Sequence, residues 1–215
     1  QFSVYHEMLL DWNTRMNLTA LTAPEDVAVK HIIDSLMAYD AARFDGARTL
    51  IDVGTGAGLP GIPLAVYAPH LTVTLLDSLN KRVRFLTEVT AAMGLQNVRC
   101  IHARAEEAAR TAEHRATYDI AVSRAVARLP VLLEYTLPFV RVGGTLLALK
   151  GRAYAAEQKA ARRAAEVLGG GRIMARPVHL PGLDDVRVIL TVTKERQTPT
   201  AYPRGGGAPT RRPIL

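Results

Sequence analysis

At 215 residues, with 48% hydrophobic and 22% charged residues, the chain is long enough for one well-packed domain and too short for two full ones. No apolar run approaches the roughly 18 to 20 residues that cross a bilayer, and Gln1 to Leu10 lack a basic start followed by an apolar stretch, which excludes a membrane span and points to the cytoplasm. Lys and Arg outnumber Asp and Glu by 27 to 20, and the resulting +7 fits a polyanionic partner as well as it fits a basic soluble protein without one.

In chain order, Val4, Met8, Leu9, Trp12 and Met16 recur at helical spacing, as do Val27, Ile32, Ile33 and Leu36, so two amphipathic helices precede the main sheet. On these helices Tyr5 and Trp12 fall on the apolar side and read as core. Gln1 in place of Met leaves open whether residues precede it. From Thr49 onward short apolar runs alternate with helix-compatible ones: Thr49 to Val53, Thr72 to Leu76, Val98 to His102, Asp119 to Ser123 and Thr145 to Leu149. That alternation predicts a doubly wound, mostly parallel sheet with helices on both faces. Between the runs lie a short crossover helix around Leu64 to Val66 and a longer one over Lys81 to Met93.

Ala153 to Leu168 reads as a single helix stopped by Gly169-Gly170-Gly171. Ile173 to Leu180 and Arg187 to Thr193 read as a hairpin that adds an antiparallel edge to the sheet. After Glu195, Pro and Gly accumulate and regular structure is not expected; the basic tail is either disordered or ordered by contact. The organisation expected is a helical extension over 1–45, a core over 46–196 and a Pro/Gly-rich tail over 197–215.

The densest chemical signal is Thr49-Leu-Ile-Asp-Val-Gly-Thr-Gly-Ala-Gly-Leu-Pro-Gly-Ile-Pro63, a strand running into a Gly-rich turn and then a helix. Glycines there admit close backbone approach to a ligand, and the crevice beyond such a strand is the usual ligand site of doubly wound sheets. Gly56-x-Gly58-x-x-Gly61 literally matches a dinucleotide pattern. Asp52 decides between cofactors: its carboxylate opposes a pyrophosphate but favours the cationic methionyl end of S-adenosylmethionine, directly or through water. Asp77, ending the second strand run, suits a ribose in either type of site. Cys100 lies in an apolar strand run and reads as a structural thiol, and the six scattered His residues have no metal-ligand spacing, so no metal is expected.

Asp52-Val-Gly-Thr-Gly-Ala-Gly-Leu-Pro-Gly-Ile-Pro63 followed by Leu76-Asp-Ser-Leu-Asn-Lys-Arg-Val-Arg-Phe-Leu86 resembles the bacterial 16S ribosomal RNA guanine-N7 methyltransferases, the glucose-inhibited division protein B type. The resemblance extends to Trp12-Asn13, Asn17-Leu18-Thr19, His31-Ile-Ile-Asp-Ser35, Arg104-Ala-Glu106, Ser123-Arg124-Ala125 and Leu147-Ala-Leu-Lys-Gly151. It implies a Rossmann-like class I fold, S-adenosylmethionine as methyl donor, and 16S ribosomal RNA or the small ribosomal subunit as partner. It further implies donor contacts by Gly54, Gly56, Leu59, Asp77, Ser78, Ala105, Glu106 and Arg124, and substrate positioning by Asn17, His31, Arg104, Arg124 and Lys150.

Several of these residues carry a plainer reading. Glu106 can be a solvated carboxylate near a helix start, His31 and Asp34 can satisfy each other at i and i+3, and Lys150 can be a solvated strand-end cation. Arg204, Arg211 and Arg212 either meet RNA phosphates or belong to a solvated tail. No Asn/Asp-Pro-Pro-Tyr/Phe segment follows the fourth strand run, which speaks against methylation of an exocyclic amine. Guanine N7, which the resemblance implies, needs alignment and no general base. Two other classes stay open on sequence: a non-catalytic RNA-binding or assembly factor on the same fold, and an NAD-dependent oxidoreductase. Oligomeric state is not specified.

Overall fold

A computed structural model describes residues 1–215. Helix α1, Phe2–Asn13, is followed by α2, Pro24–Asp26, a π-helical stretch over Val27–Ile33, α3, Asp34–Leu36, and α4, Ala41–Phe44. Then come β1, Thr49–Val53; α5, Gly61–Tyr67; β2, Thr72–Asp77; α6, Asn80–Ala92; β3, Val98–His102; α7, Ala105–Ala108; and β4, Tyr118–Arg124. The chain continues with α8, Leu129–Thr136, a 3-10 turn over Leu137–Phe139, and β5, Val140–Lys150. It ends with α9, Tyr154–Ala160; α10, Arg162–Val167; β6, Gly170–Val178; β7, Arg187–Lys194; and α11, Ala208–Arg211. No helix is long and apolar enough to cross a membrane.

The seven strands form one sheet in the order β3-β2-β1-β4-β5-β7-β6, with β1 to β5 parallel. Strand order reverses between β1 and β4, and the crevice beyond their carboxyl ends is where such sheets bind ligands. Alternation along β1 feeds two cores: Leu50 joins Tyr5, Leu9, Leu75 and Phe85 on one face, while Ile51 and Val53 join Ala121, Leu132 and Leu190 on the other. Helix α1 closes the first face, with Trp12 set edge-on to Phe85 at 5.8 Å between ring centroids.

The late hairpin is antiparallel as expected, but its second strand, β7, pairs with β5 and leaves β6 at the edge. Burial explains the order. Val188, Ile189, Leu190 and Val192 of β7 are buried, whereas Met174 to Pro177 of β6 are exposed, and Pro177 has no N–H to give a further strand. Gly170 and Gly171 open β6 where a turn is expected. The single helix expected over Ala153 to Leu168 is two, α9 and α10, parted at Ala161; nothing in the local sequence explains the break. Helix α8, begun by Pro130 in its first turn, has no counterpart among the expected elements.

The tail is ordered by contact, one of the two alternatives left open, and it contains the short α11 where no regular structure is expected. Its carbonyls receive guanidinium donors from far away in the chain: Arg110 reaches Pro203 at 2.6 Å, and Arg115 reaches Thr198 at 2.8 Å and Tyr202 at 2.9 Å. Arg204 then pairs with Glu134 of α8, whose side chain is fully buried. Arg204 is thus tied into the fold by Glu134, while Arg211 and Arg212 remain exposed.

Candidate active site

The site begins where β1 ends. Gly54 and Gly58 adopt φ of +72° and +87°, which L side chains rarely adopt. A Cβ on Gly58 would lie 2.3 Å from Ile62 Cδ1, and one on Gly54 would lie 2.6 Å from Val126 Cγ2, so both neighbours are packed directly on bare backbone. Asp52 anchors the turn from below. Its Oδ2 accepts from Thr55 Oγ1 at 2.6 Å and from the Gly61 N–H at 2.8 Å, which satisfies an otherwise free donor at the start of α5. Its Oδ1 is buried without a partner, and burial pushes the carboxyl up to about 7 against the pull of Thr55 and Gly61. The side chain shapes the turn through Oδ2, and Oδ1 is the oxygen left for a contact with a ligand, direct or through water.

Asp77 closes the turn from β2. Oδ2 accepts from the Gly56 N–H and Oδ1 from the Leu79 N–H, both at 2.9 Å, and Arg82 Nη1 stands 3.5 Å from Oδ2, which fixes the carboxylate and leaves acceptor capacity on Oδ1. It opens onto a cavity of about 160 Å³ that also brings together Gly54, Ser78, Ala105, Glu106 and, at the rim, Arg104. Glu106 is buried there, not solvated, and its nearest cation is Arg104 Nη1 at 3.4 Å. Gly56 reaches this cavity through Asp77. Leu59 does not line it: the side chain is in the core and the N–H donates to Thr55 O at 3.0 Å. Arg124 does not line it either.

A second cavity, of about 750 Å³, lies beyond the ends of β4 and β5 and gathers His31, Arg124 and Lys150. Arg124 Nη1 donates to Asp34 Oδ2 at 2.8 Å and to Lys30 O at 3.1 Å. The His31–Asp34 pairing, one of the two readings open on sequence, is not formed: Asp34 pairs with Arg124. His31 instead meets Thr19 Oγ1 at 2.8 Å through Nε2 and Lys30 O at 3.1 Å through Nδ1. Burial first and the Arg124 charge second lower its pKa, which keeps the imidazole neutral. Lys150 is not a solvated cation: Nζ donates to Ala127 O at 2.6 Å and pairs with Glu157 Oε2 at 2.8 Å. Asn17 is exposed and lines neither cavity; Asn13 ties the local turn, its Oδ1 accepting from the Leu18 and Thr19 N–H groups.

Val126 lines both cavities and is the wall between them. It follows Ala125, whose φ of +57° turns the chain sharply out of β4. Sequence reasoning missed Val126, Arg187 and Glu157 as lining residues and did not assign Asp34 to a site. Asp34 had a signal in the His31-Ile-Ile-Asp-Ser35 segment, whereas Glu157 sits in a helix of ordinary composition.

A parallel sheet with one antiparallel strand inserted near its end, a Gly-rich turn after β1 and an acid at the end of β2 make this a Rossmann-like class I methyltransferase fold. Solved structures share it: a putative O-methyltransferase from Klebsiella pneumoniae aligns at TM-score 0.60 and 17% identity over 90% of each chain. The M. jannaschii TYW2 protein in complex with AdoMet aligns at TM-score 0.56 and 18% identity over 80% of this chain and 77% of that one. The family described as rRNA small subunit methyltransferase G matches residues 1–180. The ribosomal RNA small subunit methyltransferase G of Alkaliphilus metalliredigens is 50% identical over 100% of this chain and 90% of its own length. The chain belongs to the rRNA small subunit methyltransferase G family. That membership sets aside the oxidoreductase alternative.

Proposed function

We propose that this chain transfers the methyl group of S-adenosylmethionine to N7 of a guanine in 16S ribosomal RNA, acting on the small subunit. The observation that carries the reading is the adjacency of two unlike cavities across Val126: an acid-lined one at the Gly-rich turn for a nucleoside donor, and a larger, charge-rich one for the acceptor.

The residues fit the donor. Asp77 Oδ1, with one backbone donor, is the acceptor for a ribose hydroxyl, Ala105 and Glu106 border the adenine end, and the Gly54 to Gly58 turn leaves bare backbone for the methionyl end. The cavity, of about 160 Å³, is bordered by Val126, which packs on Gly54 between it and the larger cavity. When bound, the donor supplies an electrophilic methyl carbon on a cationic sulfur.

Guanine N7 attacks with an in-plane lone pair and has no proton to lose, so the protein is required to align and to accommodate charge. The acceptor cavity matches that task. Both ring nitrogens of His31 already have partners, and Lys150 is held by Glu157, so neither is poised as a base. Asp34 and Glu157 are themselves paired with Arg124 and Lys150, so the charged groups of the wall are held in place before a base enters. Labelled methyl transfer tests the reading, with unmodified small subunits, naked 16S RNA and large subunits as acceptors. Incorporation into small-subunit RNA is expected, and label only in large subunits would overturn it.

A further inference from the structure

We infer that Asp34 is the residue that selects guanine, accepting hydrogen bonds from the N1–H and the N2 amino group on the base's Watson–Crick edge. The inference rests on the proposed attack by N7. If N7 faces the donor at Val126, the opposite edge of the base faces away from the Gly-rich turn. Two adjacent N–H donors then face into the larger cavity, where they need an acceptor pair.

Three carboxylates line this cavity: Asp34, Glu157 and Asp185. Glu157 directs Oε2 to two donors already, the Leu129 N–H at 2.7 Å and Lys150 Nζ at 2.8 Å, and in doing so starts α8. Asp185 has a side chain 54% exposed and lies in solvent beside Arg187. Asp34 alone is buried in the wall, with a side chain 8% exposed. Arg124 Nη1 meets its Oδ2 at 2.8 Å and Arg187 Nε approaches its Oδ1 at 3.4 Å. Guanidiniums from β4 and β7 flank the carboxylate and fix its orientation, one beside each oxygen. Since each carboxylate oxygen accepts about two hydrogen bonds, a forked pair of acceptor positions remains for a ligand. The same guanidiniums can donate to O6, beside N1.

An adenine in this orientation would present the bare acceptor N1 to the carboxylate, with no N2 donor. Both partners would then be desolvated without a hydrogen bond. Asp34 therefore acts as a specificity residue that touches the substrate base, while Arg187 positions it. A forked pair of this kind is worth roughly tenfold to a hundredfold in discrimination.

The experiment uses small subunits reconstituted with 16S RNA carrying either guanosine or inosine at the methylated position; inosine keeps N7, O6 and N1–H and lacks only the N2 amino group. Wild type and Asp34→Asn are compared under saturating donor, with donor affinity as the control for folding. Wild type is expected to lose about tenfold in kcat/KM on inosine. Asp34→Asn is expected to be slow on both acceptors, with a ratio near one. Equal wild-type rates on the two acceptors would overturn the inference even if the variant did not fold, and so would an Asp34→Asn ratio matching wild type. Absence of 7-methylguanosine from the wild-type product on the guanosine acceptor would overturn the N7 reaction itself and this inference with it.

Discussion

Replacing Arg204 with Ala separates two roles for the tail cation that the sequence alone leaves open. Glu134 is fully buried on α8, and its carboxylate receives the Arg204 N–H at 2.7 Å, Nε at 2.9 Å and Nη2 at 2.7 Å. The Arg204→Ala change deletes both side-chain donors and leaves a buried carboxylate with one backbone donor. Breaking a buried pair from one side costs about 3 to 5 kcal/mol. The Arg204 side chain is 29% exposed, so water can partly replace it and the lower end, about 3 kcal/mol, applies. For a domain of this size that lowers Tm by about 6 to 12 °C. Differential scanning calorimetry at neutral pH reads the shift. Adding Glu134→Leu to Arg204→Ala should recover much of it, because no charge is then left buried. An unchanged Tm combined with a loss of RNA affinity at low salt would refute the internal role and make Arg204 a phosphate contact.

Three further perturbations probe other parts of the structure. Asp77→Ala removes the acceptor for the Gly56 and Leu79 N–H groups and the proposed ribose contact; donor affinity by calorimetry should fall more than tenfold, about 1.4 kcal/mol, and an unchanged affinity would exclude the ribose role. Gly58→Ala forces a Cβ to within 2.3 Å of Ile62 Cδ1 at a φ of +87°, so it should destabilise the fold by about 1 to 3 kcal/mol in urea unfolding; a wild-type midpoint would contradict that packing. Lys194 is buried against Leu137 O and Thr198 with no carboxylate partner, and burial, aided by Arg115, drops its pKa to about 7. The unfolded chain binds this proton up to its ordinary value of 10.5, so the group's contribution to stability rises as pH increases from about 7 toward 10.5. Lys194→Met should flatten that rise in unfolding free energy, and an unchanged slope would place the titration elsewhere.

The parts of the fold that were legible in the sequence are those set by local pattern. Thr49 to Val53 and Thr72 to Leu76 are apolar on both faces because helices cover both sides of the sheet, and glycine marks the turn where Val126 and Ile62 press on backbone. Gly54, Asp77, Ser78, Ala105 and Glu106 meet in one cavity because adjacent parallel strands end at the same edge. What escaped the sequence depends on partners distant in the chain. His31 was read beside Asp34, three residues on, but Arg124 takes that carboxylate across 90 residues. The ordered tail depends on Arg110 and Arg115, which sit more than 80 residues upstream of the carbonyls they hold. The insertion of β7 ahead of β6 reflects burial on both faces, for which Pro177 in the edge strand was the one local cue.

The most direct test of the central claim is nucleoside mass spectrometry of 16S RNA from unmodified small subunits after incubation with the protein and S-adenosylmethionine. Stoichiometric 7-methylguanosine at a single position is the result predicted for a lone-pair attack aligned by two adjoining cavities. A methylated exocyclic amine, a methylated ribose or a modified pyrimidine would contradict it, because none of these is the product of attack by the N7 lone pair.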